Sequence, residues 1–190
     1  SNILINDVIA GFPPFVQFYI AWEQAENTLL RNLGDGRFAD VTRGSGAEGL
    51  GIGSGVGAAD LDGNGFVDLF VTNRTYYALG KQVSPVAGQN RLFVNRGNAN
   101  AWIKVALQGT RSNRNGYGAR IKVVAGDLVQ YHEVQSAHGY NSTNDPVLIF
   151  GLGSRKSVER IEVIWPSGTV QVLESPAIRR THPIVEPAGN

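Results

Sequence analysis

The nine residues Asp60-Leu61-Asp62-Gly63-Asn64-Gly65-Phe66-Val67-Asp68 constrain this chain most. Oxygen-bearing side chains fall at the first, third, fifth and ninth positions. Alternation puts Asp60, Asp62 and Asn64 on one concave side of a tight turn, and Gly63 and Gly65 supply the backbone angles such a turn needs. Three carboxylates this close repel one another unless a cation lies among them. A hard cation such as Ca2+ takes about six to eight oxygens at roughly 2.3–2.6 Å. The expected metal ligands are therefore Asp60, Asp62, Asn64, the main-chain carbonyl of Phe66, and Asp68. An EF-hand would place a Glu at the twelfth position and helices on both flanks. Here that position is Val71, and the flanks Gly55-Val56-Gly57-Ala58-Ala59 and Leu69-Phe70-Val71-Thr72 read as strands. The plainer alternative is a polar hairpin turn that holds no ion.

A chain of 190 residues with 24 Gly and only 17% charged residues suits many short strands joined by turns. A net charge of +1 makes no electrostatic case for nucleic acid or a membrane surface. With no cysteine there is no disulfide, zinc-thiolate or thiol chemistry. The chain also lacks Met, so Ser1 is expected to be a processed or cut start, with any signal peptide already gone. A weak oxygen-ligand site fills where calcium is plentiful, which points to the cell surface or beyond.

Residues 1–26 form an apolar N-terminal segment, with Pro13-Pro14 ruling out a continuous helix and a length too short to span a bilayer. It reads as an edge strand of its own domain, or as a strand donated to a neighbouring subunit. Asp35-Gly36 is a hairpin signal between Leu29-Leu30 and Phe38-Val41. The glycine-rich Gly44–Gly57 has a phosphate-friendly texture but no P-loop Lys-Ser/Thr. It reads as a tight connection anchored by Leu50 and Ile52. Asn73–Gln89 reads as a long connection. Asn90-Arg91-Leu92-Phe93-Val94-Asn95-Arg96-Gly97 then repeats the pattern of Asn27–Gly34, which implies a propeller-like array.

From Trp102 the texture changes to short alternating strands: 102–107, 119–124, 128–134, 147–150, 158–165, 169–173 and 183–185, with a polar loop at Gly109–Gly118. Such spacing reads as a compact β-sandwich or barrel. The fold class expected is all-β throughout: a repeat region with its ion loop over 27–100 and a small β domain over 101–190.

Two stretches carry a family resemblance. Gly34-Asp35-Gly36-Arg37-Phe38-Ala39-Asp40-Val41-Thr42 and Asp60–Leu69 resemble the FG-GAP/VCBS repeat of integrin-type propellers. Gly109–Arg120, Gly139-Tyr140, Phe150-Gly151-Leu152-Gly153 and Val163-Ile164-Trp165-Pro166-Ser167-Gly168-Thr169 resemble the ASPIC/UnbV domain that follows such repeats. The resemblance implies propeller-blade structure followed by a β domain. A propeller usually has several blades, and this chain holds barely more than one.

Other candidate chemistry is thin. His132, His138 and His182 with Glu133 or Asp145 form a weak case for a metal or acid/base site. Ser112, Ser136 and Ser142 lack a nucleophile elbow, and Glu133 and Glu162 lack a partner for glycoside hydrolysis. Arg111, Arg114 and Arg120 around Tyr117 are an anion patch, or arginines bound to nearby carbonyls. Trp102, Tyr140 and Trp165 are sugar-stacking rings or core. Asn73-Arg74-Thr75 and Asn141-Ser142-Thr143 are formal glycosylation sequons. The expectation is a non-catalytic, calcium-binding, extracellular or cell-surface module. Its partner is a protein or another copy of itself, with neither nucleic acid nor membrane insertion. The alternative is a carbohydrate-binding or accessory domain.

Overall fold

The computed structural model describes residues 27–34, 36–49, 53–74, 76–78, 84–86, 88–140 and 142–189. The N-terminal segment 1–26, the anchors Leu50 and Ile52, and the sequon residues Thr75 and Asn141 lie outside the described residues. No helix occurs among the described residues, so none is long and apolar enough to cross a membrane. In chain order the strands are β1 (Leu30–Gly34), β2 (Arg37–Asp40), β3 (Gly53–Ala59), β4 (Asp68–Asn73), β5 (Tyr76–Ala78), β6 (Ser84–Val86), β7 (Arg91–Phe93), β8 (Ala101–Gln108), β9 (Arg120–Ala125), β10 (Leu128–Glu133), β11 (Leu148–Gly153), β12 (Arg160–Ile164), β13 (Val170–Glu174) and β14 (Thr181–Val185).

These residues divide into two compact units. One holds the residues up to Val56 together with Phe70–Phe93, and the other holds Gly57–Leu69 together with the chain from Val94 onward. The division falls inside the region read as a repeat, so the acidic turn groups with the C-terminal strands.

In the first unit, β1 and β2 form the hairpin that Asp35-Gly36 signals, with Leu30 opposite Asp40 and Asn32 opposite Phe38. Gly34 and Gly36 both take positive φ, 87° and 78°. The Asp40-Val41-Thr42 end of the hairpin is tied by side chains. The Thr42 hydroxyl and amide donate to Asp40 at 2.6 and 2.9 Å, and the Leu29 amide donates to that hydroxyl at 2.8 Å. The Thr42 hydroxyl bond, then the amide bond, hold the Asp40 carboxyl below its usual pKa. The glycine-rich turn that looked phosphate-friendly already holds an anion of its own. Glu48 accepts from the amides of Gly44 and Gly46, both at φ 79°. The segment expected as a bare connection, Asn73–Gln89, carries the antiparallel ribbon β5–β6, with Tyr77 opposite Pro85. A proline is tolerated there because a two-stranded ribbon has only edge strands.

The second unit holds a four-stranded sheet, β10-β9-β12-β13, and a three-stranded sheet, β11-β8-β14. All pairings are antiparallel except β14 with β8. Alternation places Ile103 and Val105 of β8, Phe150 and Leu152 of β11, and Ile184 of β14 on the inner face of one sheet. Ile121 and Val123 of β9 with Ile161 and Val163 of β12 face them from the other, and all belong to one buried core. This is the β-sandwich alternative of the expected pair, and its strands fall close to their sequence positions because period-2 alternation reports burial directly. Trp165 closes the core, buried, with its indole N–H on Gln171 at 3.1 Å.

The repeat at Asn27 and Asn90 has a local structural basis. In each copy the Asn side chain accepts from the glycine two residues on: Asn32 from Gly34 at 2.8 Å, Asn95 from Gly97 at 3.0 Å. Both glycines take positive φ.

Candidate metal centre

The turn from Asp60 to Asp68 lies wholly within the second unit. Its N-terminal flank is fixed by Ala58, whose amide donates to the Asn144 side chain and whose carbonyl accepts from the Asp145 amide, each at 3.0 Å. Asp145, weighed above as a ligand or base, thus serves the strand end with its backbone, and its carboxylate caps the Val147 amide at 2.9 Å. The turn itself is a run of side-chain-to-backbone bonds. Asp62 accepts from the Asn64 amide at 3.0 Å, Asn64 from the Phe66 amide at 2.8 Å, and Asp60 from the Gly65 amide at 2.7 Å. Asp68, 1% exposed, closes the ring by accepting from Leu61 at 2.8 Å and from Asn95 at 2.7 Å. Asn64 also donates to the Asn95 carbonyl at 2.8 Å.

One carboxylate oxygen each from Asp60, Asp62 and Asp68 lie within 4.8 Å of one another, a separation that one cation can bridge. Among the described residues no other group of three or more His, Cys, Asp or Glu comes together in this way. The Asp60 side chain is only 3% exposed, and its Oδ1 is buried with no hydrogen-bond partner. A buried carboxylate oxygen left bare is costly, and a bound cation would satisfy it. The donor set is all oxygen, which selects hard cations over soft ones. The residues present therefore fit a metal ion.

Two side chains outside the motif complete the surroundings. On β8, Ile103 and Val105 face the core, so Trp102 and Lys104 point to the opposite side. There the Lys104 ammonium pairs with Asp60 Oδ2 and lies 5.2 Å from the centre of the Trp102 ring. Burial raises the Asp60 pKa, but the Lys104 ammonium and the Gly65 and Gly63 amides outweigh it, so the carboxyl stays below its usual value. The Trp102 indole also packs on Gly65: a Cβ there would sit 1.8 Å from Trp102 Cε2, and Gly65 has φ +92°. Gly65→Ala should therefore cost at least about 1–2 kcal/mol from backbone handedness alone, and more from the clash. Equilibrium urea unfolding checks this, and a variant as stable as the parent would contradict the packing.

Of the remaining sequence candidates, His132, Glu133, His138 and Asp145 line one open cleft, but among the described residues no three of them come close enough to share a metal ion. His132 packs edge-on against Phe150 at 5.0 Å, and burial lowers its pKa. His182 Nε2 lies 2.8 Å from the Ala177 carbonyl, and the Ser142 hydroxyl donates to the His138 carbonyl at 2.6 Å. Glu162 is bound by Arg160 at 2.7 Å and Lys122 at 3.3 Å.

Two family matches coincide with these features. Residues 15–71 match the FG-GAP-like repeat, and residues 109–190 match ASPIC and UnbV. The chain is thus similar to an FG-GAP-like repeat in its first part and to ASPIC and UnbV in its last. It is similar to cartilage acidic protein 1 of Mus musculus, 29% identical over 166 residues, covering 83% of this chain and 23% of that protein. The Homo sapiens protein of the same name is 29% identical over 148 residues, covering 74% of this chain and 20% of that protein. The chain thus spans less than a quarter of the relatives it matches.

Within the stretch that matches ASPIC and UnbV, the polar loop after Gly109 is organised by Glu186, a residue that no sequence motif singles out. This carboxylate is 1% exposed. It accepts from three successive amides, Thr110, Arg111 and Ser112, at 2.9, 2.8 and 2.7 Å. The Ser112 and Ser167 hydroxyls add bonds of 2.9 and 2.5 Å. Successive amides converging on one point make an anion-binding nest. Gly109 permits it, since a Cβ there would meet the Asn113 carbonyl at 2.2 Å. The anion site suspected around Arg111, Arg114 and Arg120 is thus built from backbone, and its anion is the chain's own. Those arginines are exposed, and the turn carbonyl is bound instead by Asn113, which donates to Tyr117 at 2.8 Å. Of the aromatics, Tyr140 is 74% exposed and Trp165 is core.

Proposed function

We propose that this chain is a non-catalytic, calcium-binding extracellular module that contacts another protein. The observation that carries the reading is the buried, unpartnered Oδ1 of Asp60 among three converging carboxylates. Hard oxygen donors spread along an irregular turn suit Ca2+ better than Mg2+, which demands near-ideal octahedral geometry. Calcium at such a site is a structural ion, because the bonds around it position a turn and strands. The FG-GAP-like repeat and the likeness to cartilage acidic protein 1 support an extracellular setting.

The contact surface is supported by β1 and β2, which leave Leu30, Leu33 and Phe38 more than half exposed at 56%, 55% and 59%. Leu30 and Phe38 share one face of the hairpin, since Leu30 lies opposite Asp40 and Asn32 opposite Phe38, and such paired apolar exposure marks an interaction surface. Sedimentation velocity of the full chain and of a chain lacking residues 1–22, each with and without calcium, tests the interaction. Calcium-dependent association in the full chain is expected, and its loss in the shorter chain would make the N-terminal segment the link. A full chain that stays monomeric at all concentrations in calcium would overturn self-association.

One observation favours the carbohydrate alternative. An open cleft of about 420 Å³ in the second unit is lined by Tyr131, His132, Glu133, His138, Asn144 and Asp145, among others. An exposed ring beside amides and carboxylates is a surface that sugar hydroxyls can use.

A further inference from the structure

We propose that Lys104 sets the calcium affinity of the acidic turn, by keeping a fixed positive charge on Asp60 beside the place a cation would take. The inference rests on the calcium reading above. It concerns a residue outside both family matches, which end at 71 and resume at 109.

Lys104 is a buried lysine, 9% exposed, on a strand whose neighbouring positions Ile103 and Val105 are core. A buried ammonium is kept only where it is paired, and here its partner is Asp60 Oδ2. The pairing divides the carboxylate: Oδ2 takes Lys104 and the Gly65 amide, while Oδ1 is left bare. Three carboxylates and one ammonium leave a net formal charge of −2, which one divalent cation would neutralise.

Release of Lys104 on metal binding is disfavoured. Its backbone is fixed between β11 and β14, opposite Ile149 and Thr181, and its ammonium lies against the Trp102 ring that also covers Gly65. The ammonium therefore stays and repels the incoming ion across a single carboxylate, where poor screening makes like charges expensive. Two consequences follow. The turn remains formed without metal, because Lys104 offsets part of the carboxylate repulsion. The site also binds calcium more weakly than its oxygen donors alone would, towards the range of roughly 10⁻⁴–10⁻³ M found in extracellular modules.

Lys104→Met keeps the aliphatic stem and removes the charge. Isothermal titration with CaCl2 should show the dissociation constant falling by at least about tenfold, from the lost Coulomb repulsion. In EDTA the same variant should melt below the parent, so its calcium-induced rise in Tm should be larger. Lys104→Arg keeps the charge and should bind within about threefold of the parent, a shift of well under 1 kcal/mol. Should Lys104→Met not fold in EDTA, the calcium dependence of its Tm yields the same constant from the folded side. A folded Lys104→Met that binds calcium no tighter than the parent would overturn the proposal and reduce Lys104 to a positioning residue. If neither protein binds calcium, the calcium reading itself fails. A parent that binds, with a variant that gains nothing, removes only the role given to Lys104.

Discussion

Glu186→Gln is expected to lower the melting temperature by on the order of 10 °C, although it changes one atom on one side chain. The carboxylate accepts five bonds from the 110–112 amides and the Ser112 and Ser167 hydroxyls. A carboxamide keeps one acceptor and turns an NH2 group towards donors that are themselves N–H or O–H. Those donors are then left buried and unpaired, which costs more than the bonds contributed. Differential scanning calorimetry checks this, and a fall of only a degree or two would mean that the nest is not structural.

The same carboxylate gives the protein an acid limb. Burial alone would raise the Glu186 pKa, but the Ser167 hydroxyl and the Ser112, Arg111 and Thr110 amides bring it from 4.5 down to about 2. The folded carboxylate therefore takes up its proton later than the unfolded one as pH falls. Its contribution is whole above about pH 4.5 and is lost progressively from there towards pH 2. Glu186→Gln should flatten that part of the stability–pH curve. A parent and variant that lose stability in parallel between pH 4.5 and 2 would contradict the assignment.

What the sequence could disclose follows from how far each feature reaches along the chain. The β1–β2 hairpin rests on Asp35-Gly36, and the Asp60–Asp68 turn on contiguous spacing, so both were legible. The strands from β8 to β14 were legible because their alternation is set by a two-sided environment, with Ile121 and Val123 buried and Lys122 between them outward. The ribbon β5–β6 was not, because Pro85 in a short polar stretch argues against a strand unless the strand is an edge. The companions of the turn were hidden for a different reason. Asn95 reaches Asn64 across 31 positions. Lys104 stands between Ile103 and Val105 on a short strand, and only the fold shows that its side of the sheet is covered. Glu186 meets Thr110 across 76 positions. In a run of residues near the end of the chain, nothing marks it as the anion for a nest. Of the nest only the polar loop Gly109–Gly118 was legible, with its arginines open to either an anion or nearby carbonyls, because nothing in the residue types marks the 110–112 amides as the donors.

The claim on which most depends is that the acidic turn holds calcium. Asp62→Ala tests it most cleanly. Asp60 and Asp68 are buried and hydrogen-bonded within the unit, whereas Asp62 is exposed and bonds only to Asn64. Its loss should therefore leave the metal-free fold close to intact. The measurement is the melting temperature of parent and variant, each in EDTA and in millimolar CaCl2. The parent is expected to gain several degrees with calcium, as mass action on the folded state requires, and the variant to melt near the parent in EDTA and gain little or nothing. A parent indifferent to calcium, or a variant that gains as much as the parent, would contradict it.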